Sequence, residues 1–270
     1  MESGTSSTTD VGEEYLVPLK EEKYPELRLI KTLWGIEEPV SPELFLSIKQ
    51  EGYYGVEVIR LAWNTDDALV GLVNALNESG LACVCQIHTA GGYIDENTGQ
   101  YVYCGAYDVQ THKEDFRKQL RECLELFQLI SAKGCFVNVH AGVDAWSLRE
   151  AQEFLAFCLD EIRAIGSDDA PVVTFETHRQ RLFGSPFQTR DLLELELMHK
   201  PEPEWEKRLP FLKLNADLSH WYCACERVFD PKNEIRDRDW WPMLLWRLAN
   251  RCHYIHARFG WAQGPQLPDP

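Results

Sequence analysis

The 270-residue sequence predicts a parallel α/β fold, and three observations carry that expectation. Short apolar runs rich in branched side chains alternate with helix-period stretches from Pro25 onward. Those runs are nearly continuous, as expected of strands that helices cover on both faces. The length suits one core of the α/β barrel kind, which reaches about 250 residues as a single unit.

Seven strands can be read in order: Leu27 to Leu33, Gly55 to Leu61, Leu81 to His88, Cys135 to His140, Val172 to Glu176, Leu212 to Asp217 and His253 to Arg258. The helices between them carry start signals. Ser41 precedes Pro42 at a first helical position, and Thr111 with Glu114 and Ser147 with Glu150 have the spacing of capping boxes. Gly52, Gly80, Gly134 and Gly166 are expected at helix ends, where a positive φ is easiest for glycine. Tyr93 to Tyr103 alternates around Asn97 and Gly99, which predicts a hairpin flap beyond the third strand. Residues 1–13, small and polar, are expected to form a disordered tail, and residues 14–270 a single domain.

Lys and Arg number 27 against 43 Asp and Glu, a net charge of −16. Such a surface repels phosphate backbones and anionic headgroups, so nucleic-acid and membrane partners are disfavoured. No apolar run is long enough to span a bilayer and the first residues lack the apolar core of a signal peptide, so a cytoplasmic location is expected. The nine cysteines, an odd number scattered through apolar segments, suit reduced buried thiols better than a disulfide framework.

Polar side chains inside apolar strands are costly unless paired, so their positions are informative. They gather at one end of each strand: His88 on the third, His140 on the fourth, Glu176 and His178 on the fifth, Asp217 and His220 on the sixth, His256 and Arg258 on the seventh. In a parallel barrel these ends share one mouth, where residues distant in sequence converge on one pocket. Singly, each has a plainer reading: a hydrogen-bonded core histidine for His88 or His140, or an ion pair of Glu176 or Asp217 with Arg179 or Arg258. His112, His199 and His253 are assigned to surface or packing roles.

Carboxylates with imidazole and no thiolate pattern suit one divalent cation such as Mn²⁺, Mg²⁺, Co²⁺ or Zn²⁺. Cys83 with Cys85 and Cys223 with Cys225 are spaced C-x-C and do not make a zinc ribbon. The phosphate-binding P-loop, the dinucleotide fingerprint and the nucleophile elbow have no match. Trp34, Trp63, Trp146, Trp221 and Trp261 fall near strand ends, where they either pack or wall the apolar side of a sugar ring.

Six segments carry a resemblance: K-T-L-W-G (Lys31 to Gly35), I-H-T-A-G-G (Ile87 to Gly92), V-N-V-H-A-G (Val137 to Gly142), F-E-T-H-R (Phe175 to Arg179), N-A-D-L-S-H-W (Asn215 to Trp221) and I-H-A-R-F-G (Ile255 to Gly260). In these the chain resembles the xylose isomerase-like barrel family of sugar (phosphate) isomerases and epimerases. The resemblance implies a (β/α)8-type TIM barrel with one divalent cation at its mouth. It implies Glu176, Asp217 and His256 as metal ligands, Glu176 and His220 as catalytic groups, and His88, His140, Arg258 and Trp34 as substrate-binding residues. The chain departs from the family at its end, where Q-G-P-Q-L-P-D-P cannot form a strand, so the eighth strand and the Glu it carries are expected to be missing.

The chemistry implied is proton transfer beside a carbonyl through an enediolate, on a small carbohydrate-like substrate. Two other readings stay open: a non-catalytic or truncated barrel that keeps the pocket, and an apurinic-site nuclease-like zinc enzyme, which −16 disfavours. Acidic barrels with aromatic loops often pair, so a homo-oligomer is also open.

Overall fold

The computed structural model describes residues 26–90, 92–94, 101–103, 106–166, 170–198, 203–232 and 234–258. The expected tail, His199, Trp261 and the proline-rich end lie outside them. The chain opens with β1 (Ile30–Thr32), α1 (Pro42–Gln50), β2 (Gly55–Ile59), a 3-10 turn (Arg60–Trp63), α2 (Asp66–Ser79) and β3 (Ala82–His88). The hairpin β4 (Gly92–Ile94) and β5 (Tyr101–Tyr103) follows, then α3 (Val109–Leu129), β6 (Phe136–His140), α4 (Leu148–Ile165) and β7 (Val173–Glu176). Next come α5 (Pro186–Met198), α6 (Pro203–Arg208), β8 (Lys213–Ala216), α7 (Leu218–Cys225), α8 (Trp240–Ala249) and β9 (Cys252–Ile255).

Seven strands pair in the order β1-β2-β3-β6-β7-β8-β9, every pairing parallel. Parallel neighbours need a crossover, and the helices supply it. The sheet is curled: His256, just past β9, reaches within 3.0 Å of Glu57 on β2. The result is a TIM barrel short of one strand, with β1 and β9 as its open edges among the described residues. The predicted hairpin pairs Gly92 with Tyr103 and Ile94 with Tyr101, beyond β3 as expected.

Local signals explain most boundaries. Ser41 caps α1 by accepting from Leu44 N, with Pro42 at the first turn, and Ser147 and Glu150 make the expected reciprocal box at α4. Gly80 and Gly166 close α2 and α4 in left-handed conformation, with φ of 66° and 67°. Two expectations need correction. Thr111 and Glu114 do not start a helix: Asp108 is the cap, accepting from Thr111 N at 2.8 Å and from the Thr111 hydroxyl at 3.0 Å, which puts Thr111 inside the first turn with its hydroxyl turned back to Asp108. Gly134 ends no helix; α3 stops at Leu129, and Gly134 takes φ 80° in the turn before β6, against the Tyr54 hydroxyl. The first and last strands are also shorter than expected. Leu27 and Leu29 are 84% and 55% exposed, since an edge strand has no neighbour on one side to extend it.

The apolar core lies between the sheet and its helices. On α3 the stripe His112, Phe116, Leu120, Cys123 and Leu126 is buried at helical spacing, and Phe116 packs on Phe154 of α4 and Phe175 of β7. Eight described cysteines are free thiols, and burial raises the Cys85 and Cys158 thiols well above their usual range. His112 has the packing role expected of it: its ring is buried, with Nδ1 2.7 Å from the Thr89 hydroxyl and Nε2 2.8 Å from the Ala106 carbonyl. His253 is exposed and packs edge-on against Phe136.

Burial pulls the His112 pKa down to about 4. A folded pKa below the unfolded value means that its contribution to stability is whole above about pH 6.5 and is lost as pH falls toward 4. Urea unfolding of His112→Gln at pH 7 and pH 5 should therefore show a pH-dependent loss smaller than that of the parent by about 2 kcal/mol. An identical loss in both proteins would contradict the assignment.

Candidate metal centre

Residues along the barrel interior are polar at successive register positions. Gln86 of β3 pairs with Asn138 of β6, which pairs with Thr174 of β7; one step further His88 lies beside His140, and Glu176 beside Asn215 of β8. Strand alternation points each of these side chains to the same face. Glu176 terminates β7 and is buried. Its Oε2 accepts from Asn138 Nδ2 at 2.7 Å and Asn215 Nδ2 at 3.2 Å, and lies 2.9 Å from His140 Nε2. Its Oε1 faces His256 Nδ1 at 3.4 Å and His220 Nε2 at 3.9 Å.

Asp217 serves two structures at once. Its Oδ1 caps α7, accepting from the Ser219 amide and hydroxyl, while Oδ2 turns inward. Oδ2 lies 3.5 Å from His220 Nε2, 3.7 Å from His256 Nδ1 and 3.1 Å from Arg258 Nε. The cap explains the D-x-x-H spacing: one helical turn after the capping Asp, His220 returns to the same mouth. Glu176, Asp217 and His256 thus each offer one ligand atom, all within 4.8 Å of one another. A second set, His140, Glu176 and His178, meets the same criterion and shares Glu176.

The predicted site residues are brought together with one partial exception. His88, His140, His178 and His220 form a row of imidazoles, with ring centroids 4.2, 4.5 and 3.7 Å apart in turn. Arg258 is held on Asp217, the ion pair offered as its plainer reading. Trp34 stands apart from the cluster: 53% exposed, it lines a cavity of about 340 Å³ whose wall also includes Glu57 and Gln86. Trp63, Trp146 and Trp221 are buried packing residues, and the latter two donate their indole N–H to backbone carbonyls of Tyr107 and Phe183.

Electrostatics divide the imidazoles. Burial drives His88 well below its ordinary pKa and His220 down to about 4, so both are neutral donors or acceptors. Burial also opposes charge on His256, but the carboxylates of Glu176 and Glu57 outweigh it and hold this ring well above the ordinary value. Glu176 is affected likewise: burial alone would raise it, and the facing His140 and His256 keep it well below the usual carboxylate range. Three buried acids, Glu57, Glu176 and Asp217, therefore share one interior with few cationic partners. The donor set of two carboxylates and an imidazole fits a divalent cation of the hard-to-borderline kind.

Sequence reasoning missed Glu57, Asn138 and Gln86. Glu57 was visible as a lone acid inside G-V-E-V-I, and Asn138 as the polar centre of F-V-N-V-H. Both lie in mid-strand, away from the strand ends where the other polar residues gather.

No family model and no curated protein sequence matches the chain. Solved structures do. The probable 3-DHS dehydratase AsbF of Bacillus anthracis superposes with a TM-score of 0.51 at 16% identity, covering 85% of this chain and 72% of that one. The 3-keto-D-glucoside 4-epimerase YcjR of E. coli gives 0.52 at 15%, covering 87% and 80%. A xylose isomerase-like TIM barrel protein from Mycobacterium smegmatis is more distant, with a TM-score of 0.42 at 13% identity over 80% and 65%. At such identities the likeness is one of fold. The chain is a TIM barrel similar in fold to the first two of these structures.

Asn138 donates to Glu176 Oε2 and, at 3.0 Å, to Glu57 Oε1. Asn138→Leu removes the shared donor from two buried carboxylates, and urea denaturation should show a loss of about 2–4 kcal/mol. A change under about 0.5 kcal/mol, the scatter of ordinary surface substitutions, would contradict this pairing.

Proposed function

We propose that the chain is a divalent-metal-dependent isomerase or epimerase that moves a proton beside the carbonyl of a small carbohydrate-like substrate. The convergence of Glu176, Asp217 and His256 from three successive strands carries the reading. A cation held there supplies Lewis-acid polarisation of adjacent carbonyl and hydroxyl oxygens, which makes the neighbouring C–H acidic enough to lose its proton. Glu176, kept anionic by the imidazoles that face it, takes that proton at a carboxylate oxygen and delivers it on the same face to the neighbouring carbon, which completes a 1,2 shift; an epimerisation needs a second acid on the opposite face. Neutral His220 and His88 hydrogen-bond the oxygens of the developing enediolate, with His140 and Arg258 orienting the substrate and Trp34 walling the cavity.

In this reading residues 14–270 act as one domain with a small molecule as partner, and the −16 charge disfavours nucleic acid and anionic membranes. Among the described residues no helix is long and apolar enough to cross a membrane. One observation favours a second reading. Arg258 already pairs with Asp217, so a non-catalytic barrel could neutralise its acids internally.

Mn²⁺ titration followed by deuterium exchange into a panel of ketoses in D₂O separates the two. The enzyme reading expects one tightly bound Mn²⁺ per chain and measurable exchange, which Glu176→Gln lowers by roughly 10²–10⁴-fold with the fold retained. Exchange that persists unchanged in Glu176→Gln, or no Mn²⁺ uptake at all, would refute it.

A further inference from the structure

The proposed metal ligands leave a buried carboxylate without a role. Glu57 is 3% exposed at the centre of β2, a strand that contributes none of the three ligands. Its Oε1 accepts from Asn138 Nδ2, and its Oε2 lies 3.0 Å from His256 Nε2. The opposite nitrogen of the same ring, Nδ1, faces Glu176 Oε1 at 3.4 Å and Asp217 Oδ2 at 3.7 Å. Without a cation the surrounding carboxylates favour a ring protonated on both nitrogens; a cation bound at one nitrogen displaces the proton there, and the partner of the other nitrogen fixes which proton stays.

Asn215 Nδ2 also lies 3.2 Å from Nε2, where the second of its two N–H groups competes as a donor, the first being given to Glu176; the Glu57 carboxylate is the nearer partner at 3.0 Å and can only accept. Glu57 is then the acceptor placed to take the Nε2–H. We infer that Glu57 is the positioning residue for His256: its carboxylate retains the proton on Nε2 and turns the Nδ1 lone pair toward the space shared by Glu176 and Asp217. The inference rests on the metal-dependent reading above. It also explains why an acid is kept in the middle of an apolar strand, where burial is costly and a packing role would be better filled by valine or isoleucine. Carboxylates that orient metal-binding imidazoles in this way typically affect affinity by 10–100-fold.

The test is Mn²⁺ affinity by electron paramagnetic resonance for the parent, Glu57→Ala, Glu57→Gln and Glu176→Gln, with thermal melts of each metal-free protein. Glu57→Ala should weaken binding by roughly 10–100-fold. Glu57→Gln, whose amide oxygen still accepts from Nε2–H, should recover part of that loss. A Glu57→Ala protein that folds and binds within about twofold of the parent overturns the inference while the metal reading stands. A parent that takes up no Mn²⁺ overturns both. Should Glu57→Ala not fold, nitrogen-15 histidine spectra of the Zn²⁺-loaded parent, assigned with His256→Gln, decide the matter. A protonated Nε2 with metal on Nδ1 supports the role of Glu57, and the reverse tautomer overturns it.

Discussion

The structure depends on keeping Glu176 ionised in a site almost closed to water. A buried carboxylate is tolerated only when hydrogen bonds and opposite charge replace its hydration, and here the replacements come from three other strands or strand ends. Asn138 and His140 of β6, Asn215 of β8 and His256 after β9 all converge on its two oxygens. No pair of neighbouring strands could supply them, so the site exists only because the sheet curls. The same contacts close the interior, linking β9 back to β2 through His256 and Glu57 across the open side of the barrel.

This arrangement gives the two oxygens of Glu176 different surroundings. Oε2 is held by amide and imidazole groups at 2.7 to 3.2 Å, whereas Oε1 faces His256 and His220 at the longer distances of 3.4 and 3.9 Å. Asp217 is divided in the same way, with one oxygen committed to the cap of α7 and the other turned inward. Each acid is thus fixed by one oxygen and presents the other, which is how rigid scaffolds hold a ligand set in a defined geometry. Glu57 extends that logic one layer outward.

Much of this was legible in the residues. Nearly continuous apolar runs ending in His, Glu or Asp placed all seven parallel strands, and the D-L-S-H spacing put Asp217 and His220 at one mouth. Capping at Ser41 and Ser147 was readable because the signal is local. What was not readable depended on competition or on closure. Asp108 displaced Thr111 as a cap because its carboxylate accepts from both the amide and the hydroxyl of Thr111. The edge strand β1 is short because strand length depends on a neighbour, which no periodicity records. Glu57 and Asn138 matter because they face residues about 199 and 38 positions away, a relation that appears only when the sheet is rolled up.

The central claim is that distant acids and an imidazole surround a common cation in the barrel mouth. Anomalous X-ray scattering from Mn²⁺-loaded crystals tests it most directly. A single strong peak within coordination distance of Glu176, Asp217 and His256 Nδ1 is the result the account predicts. Density for Arg258 or water at that point, with manganese bound elsewhere or nowhere, would contradict it.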